Sequence, residues 1–185
     1  MKFNKIARLC KETGCVQLYT DEHNNQYLSN GIALYPIYGL PLLDIENVKN
    51  LMGLNDTQRE TWSFKVNNEI NTIYTDDTYN GEELLQPLPI SLNWKGNILG
   101  CYASSTGIFM VNRKHIETLS CNGEIELFLR INIVDSLPCY IIVAKSGLIN
   151  YGAITPFPVQ QDMSDCINEL ATMIKISTDN RNTSN

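Results

Sequence analysis

Tyr140-Ile141-Ile142-Val143-Ala144-Lys145-Ser146-Gly147-Leu148-Ile149-Asn150-Tyr151-Gly152-Ala153-Ile154 is the stretch that decides the fold. Its first five residues are apolar throughout, as in a central strand covered on both faces. Lys145-Ser146-Gly147 has hairpin chemistry, because Gly tolerates positive φ. Leu148 to Ile154 is then the returning strand, stopped by Pro156 and Pro158. Upstream, Glu124 to Leu129 alternates, as a strand with one wet face should. Before it, Asn122-Gly123 turns the chain, and Asn112 caps a helix over 113–120 with Ile116 and Leu119 inward. Three further strands are expected at 88–92, 98–102 and 107–111.

The opposite end of the chain follows the same plan. Residues 2–13 place Phe3, Ile6, Ala7, Leu9 and Cys10 on one arc of a helix, and Gly14 supplies its stop. Strands follow at 16–19, 26–28 and 32–35, the last two joined by Ser29-Asn30-Gly31. Pro36 and Pro41 end the sheet, and Asp44 caps a short helix over 45–52. Both ends thus run helix, strand, hairpin, two strands, proline, helix. Ala33-Leu34-Tyr35-Pro36 answers Ala153-Ile154-Thr155-Pro156 at an offset of 120 residues, which suggests a structural repeat. At the far end, Asp162 or Ser164 caps a helix over 165–176, with Ile167, Leu170, Ala171 and Ile174 as its apolar stripe. The tail from Ser177 to Asn185 is expected to be disordered.

The fold class expected is α+β, with repeated helix–three-strand units. The organisation is an N-terminal α/β half-unit at 1–54, an acidic connection at 55–86, a second half-unit at 87–160, a C-terminal helix at 161–176 and the tail at 177–185. Between Asp44 and Glu83, a stretch that takes in most of the connection, there are nine acids and three bases. Only Trp62 to Val66 reads as a strand within it.

Composition bounds the function. The chain has 185 residues, of which 43 % are apolar and 18 % charged. Such a chain buries about 70 % of its unfolded surface and needs no staple. The net charge is −6, which excludes a uniformly basic nucleic-acid coat but not a local basic face. No apolar run approaches the roughly 18 residues of a membrane span, and no signal-like apolar region follows the first residues. A cytoplasmic protein without membrane contact is the expectation.

No catalytic motif is visible, so a non-enzymatic role is expected, with neither cofactor nor metal. The six cysteines form no C-x-x-C pair and read as free thiols, with Cys10, Cys139 and Cys166 in the core. His23 and His115 lie far apart, and the bland reading of Cys101 and His115 is one core thiol and one surface imidazole. Ser104-Ser105-Thr106-Gly107 reads as a plain turn, and Asp76-Asp77 and Glu82-Glu83 as solvated charge. A basic arc on the first helix stands out. Lys2, Lys5, Arg8 and Lys11 lie opposite its apolar arc and give residues 1–19 a charge of +3. Arg113 and Lys114 form a second basic group on the counterpart helix. Two readings of these groups remain open: a solvated helix face, or a track for a phosphate backbone.

The segment from Gly107 to Leu119, with the strands at 124–129, 140–144 and 148–154, resembles a half-domain of bacterial DNA sliding clamps. Residues 2–37 resemble the same half-unit. The whole chain also resembles small proteins of temperate phages and prophages of Gram-positive bacteria. The resemblance implies clamp-like sheets backed by helices, with Lys2, Lys5, Arg8, Lys11, Arg113 and Lys114 facing duplex DNA. It implies an accessory role in phage DNA replication or recombination, and a homo-oligomer, since a ring would need about six copies of one clamp domain. The alternative is an interaction protein, such as a phage inhibitor of a host defence protein, acting through its acidic surface.

Overall fold

The structure, a computed structural model, describes residues 3–120 and 124–182. Lys2, Cys121 and the Asn122-Gly123 turn therefore lie outside the described residues. Helix α1 (Phe3–Thr13) buries Ile6, Ala7, Leu9 and Cys10 and ends at Gly14, whose φ of +64° no other residue adopts as cheaply. Strands β1 (Cys15–Thr20), β2 (Gln26–Ser29) and β3 (Ala33–Pro36) follow as an antiparallel meander. The second helix–three-strand unit is α4 (Arg113–Leu119), β9 (Glu126–Val134), β10 (Leu137–Ser146) and β11 (Ile149–Ile154). Asn112 caps α4 through a bond from the Lys114 N–H. β10 is flanked by β9 and β11, the central place that its unbroken apolar run requires.

The two units meet edge to edge at β3 and β11, forming one mixed sheet in the order β4-β1-β2-β3-β11-β10-β9-β5. At the junction Ala33 pairs with Ile154 and Leu34 with Ala153. With an offset of 120, each residue thus pairs with the counterpart of its neighbour, as a local two-fold axis demands. Both helices lie on one face of this sheet and share its main core with Val16, Leu18, Leu28, Tyr35, Leu127, Leu129 and Ile142.

Between the units, α2 (Ile45–Leu51) is capped by Asp44 as expected. The 55–86 segment departs from its reading as an acidic connection. It holds α3 (Asp56–Thr61), started by an Asn55/Gln58 capping box. Periodicity could not reveal α3, because it buries no residue. β4 (Ser63–Asn67) pairs in parallel with β1, and β5 (Glu83–Leu84) pairs with β9, so the segment supplies both edges of the sheet. In between, a strap over 68–82 with a 3₁₀ turn at Thr72–Tyr74 crosses the outer sheet face. There Ile73 is buried against Tyr27, Leu34, Ile141, Val143 and Ala153.

A second sheet has the order β12-β8-β7-β6, from β6 (Gln86–Trp94), β7 (Asn97–Ser104), β8 (Gly107–Asn112) and β12 (Phe157–Pro158). Its prolines stand on the edge strands β6 and β12, where a missing N–H costs least. The chain therefore does not leave the sheets at Pro156. It crosses to the second one.

Helix α5 (Gln161–Asn182) packs on β6, burying Ser164, Ile167 and Ala171. Two expectations are corrected here. The helix continues to Asn182, so 177–182 is not a disordered tail; no Gly or Pro interrupts the segment. Residues 183–185 lie outside the described residues. Only part of the apolar stripe is inside: Leu170 is 48 % and Ile174 39 % exposed, because one sheet face touches a narrower arc of helix. Cys166 faces outward and Cys139 is half-buried, so only Cys10 of those three thiols lies fully in the core.

Candidate nucleic-acid interface

The amphipathic spacing of α1 that buries Ile6, Leu9 and Cys10 turns Lys5, Arg8 and Lys11 to water. On α4, Arg113 is exposed and Lys114 half-buried. Tertiary contacts bring the two helices together. Lys114 Nζ lies 3.0 Å from Glu12 Oε2, and Arg8 Nε lies 3.9 Å from Glu12 Oε1. Glu12 thus sits between bases from both helices. The exposed pairs themselves hold little stability, about 1 kcal/mol or less each. Lys2, the remaining base of the expected arc, lies outside the described residues.

Beneath the basic residues is a linkage that the sequence does not announce. His115, expected on the surface, is 3 % exposed, and the Tyr35 hydroxyl reaches its Nδ1 at 2.5 Å. The inward face of α4 is His115, Thr118 and Leu119, with Ile116 only half-buried. Burial pushes the imidazole down to about 4; Glu12 opposes this and Lys114 adds to it. The ring is neutral at pH 7, and it shares one hydrogen bond with the Tyr35 hydroxyl, whose direction follows the imidazole tautomer. Burial, with the nearby Cys10, also raises the Tyr35 phenol. Cys10 is itself pushed up to about 12 by burial, with Cys15 adding, so it stays a thiol. Cys101 is raised by burial and faces Ile108 and Ile167, in a cluster apart from His115. A thiol–imidazole pair is not formed.

The acidic pairs divide. Asp76 and Asp77 are exposed, although Asp77 Oδ1 accepts from the Asn150 N–H. Glu82, expected to be solvated, is instead the shared counter-ion of two buried cations. Its Oε2 takes Arg130 Nε at 2.9 Å, and its Oε1 takes Lys145 Nζ at 2.5 Å. Arg130 is fully buried and also donates to the Ile73 and Asp76 carbonyls. Glu83 accepts from the Ser105 N–H and hydroxyl, so that turn holds a carboxylate of its own chain. A clue was present in the sequence: Arg130 and Lys145 interrupt apolar strand runs, where an unpaired charge would be costly.

Among the described residues no three metal-binding side chains converge, and no helix is long and apolar enough to cross a membrane. Neither a protein-family model, nor a curated protein, nor a solved structure matches the chain.

Proposed function

We propose that this protein is a non-enzymatic accessory factor of phage DNA replication or recombination, clamp-like in fold, that binds duplex DNA through α1 and α4. The observation that carries the reading is the pairing of two basic helices on one sheet face, with Lys5, Arg8, Lys11 and Arg113 exposed and Lys114 beside them. Lys5 to Lys11 spans about 9 Å of helix axis, over which a duplex presents several phosphates. The acidic remainder of the chain keeps the duplex off other surfaces. The two-fold relation of the helix–three-strand units supports the clamp-like part of the reading. A homo-oligomer, about six copies if a ring closes, follows from one such domain per chain.

The test is fluorescence anisotropy with labelled duplexes over a salt series. Binding is expected to be weak, with a Kd of roughly 10⁻⁴–10⁻⁶ M at physiological salt, and indifferent to sequence. Reversing charge at Lys5, Arg8 and Lys11 together abolishes it, with an unchanged circular dichroism spectrum. No binding by the wild type at low salt sinks the proposal. A second reading is an interaction protein acting on a phage or host protein, such as a defence protein. It rests on the exposed Glu69, Asp76 and Asp77 of the strap, on the face opposite the bases. Sedimentation with and without DNA separates the two readings.

A further inference from the structure

The strap does not lie flush on the sheet. Where Glu69 to Tyr74 passes over β1, β3 and the end of β11, it leaves an open-mouthed cavity of about 180 Å³. The cavity lies on the face opposite α1 and α4, since Tyr19, Leu34 and Tyr74 belong to the outer cluster. It is therefore independent of any contact with DNA.

Tyr19, Tyr74, Gln17, Asn71 and Glu69 are among the residues that line it, and Glu69 is the one charged residue of the lining; the Asn71 side-chain oxygen already accepts from the Ile73 N–H. No Lys, Arg or His lines it, so an anion would meet a carboxylate and no counter-charge. Burial raises both phenols above the usual tyrosine range, with Cys15 adding at Tyr19, and Cys139 and then Tyr19 adding at Tyr74. Both stay neutral at pH 7 and leave Glu69 to set the sign of the site. The Tyr19 hydroxyl is engaged with Gln17 Oε1 at 2.8 Å, so a ligand is offered its ring more than its hydroxyl. The volume holds several waters or one compact organic group.

Electron-rich rings beside a carboxylate attract an alkylammonium group by ring quadrupole and by charge together. We infer that this cavity binds a small organic cation of the alkylammonium class, recognised by Glu69 and the rings of Tyr19 and Tyr74. Choline is the probe, with its neutral carbon isostere dimethylbutanol as control. The full-length protein, isotope-labelled, is titrated at constant ionic strength and followed by amide chemical shifts. Choline is expected to give saturable shifts at Gly31, Ile32 and Asn71, with none along α1, while the isostere gives none. Glu69→Gln, at an exposed position, weakens choline about tenfold without lowering the melting temperature. Tyr74→Phe keeps the ring and keeps binding. Equal binding of the isostere, unchanged affinity in Glu69→Gln, or no saturable shift overturns the inference.

Discussion

Among the described glycines, Gly152 has the least room for a side chain. Its φ is +133°, and a Cβ there would run into the Leu34 carbonyl oxygen and lie 2.6 Å from Leu119 Cδ2. It stands where β3 and α4 both close on β11, so the join of the two units passes through it. Gly152→Ala should cost about 3 kcal/mol or more in chemical denaturation, from strain and overpacking together. His115 makes stability depend on pH. Its folded value of about 4 lies below the 6.5 of the free ring. The unfolded chain therefore binds a proton that the folded one refuses. The contribution is whole above 6.5, falls as pH drops toward 4, and changes no further below that. The loss is of order 3 kcal/mol, and denaturation of wild type and His115→Gln at pH 7 and pH 4.5 should show it in the first alone. The burial of His115 was not legible, because Ile116 competes with it for the inward face and only the neighbouring Tyr35 decides. The exposure of Lys5, Arg8 and Lys11 was legible, since the apolar arc of α1 leaves them no other side.

Among the elements, the strap over 68–82 departs furthest from its local appearance. It has few apolar residues and no period, yet Ile73 is 3 % exposed and Arg130 bonds two of its carbonyls. Glu82 ties it down by pairing with both Arg130 and Lys145, one carboxylate shared between two buried cations. Glu82→Ala should therefore destabilise by about 3–5 kcal/mol, because it strands buried charge. In hydrogen exchange the same variant should lose protection at Asp76 and Asn150 before the amides of β10 open. Equal loss in β10 would mean that the strap is no separate unit. The alternation over 124–129 predicts a wet outer face, and Glu124 and Glu126 are exposed on it; further along β9, Arg130 is covered by the strap. A buried ion pair and a solvated charge leave the same letters in a sequence.

At the scale of the molecule, the halves are not independent. β3 pairs with β11, β4 from the middle segment pairs with β1, and β5 pairs with β9. Urea unfolding should be one transition, coincident by fluorescence and circular dichroism, and a fragment of residues 1–54 should be largely unfolded alone. Two separated transitions would show the half-units to be autonomous. The sequence by itself determined the α+β class, the two helix–three-strand units, the Asn112 and Asp44 caps, the Gly14 stop, the central place of β10 and the outward bases of α1. All of these rest on local periodicity, φ preference and capping, which act over a few residues. Only the tertiary structure decided that the units join across a two-fold at β3 and β11 and that Lys114 reaches Glu12. It also decided that His115 meets Tyr35 and that Glu82 serves Arg130 and Lys145. These partners lie between 48 and 121 residues apart. Nothing in the local chemistry of either partner names the other; packing of the sheet brings them together.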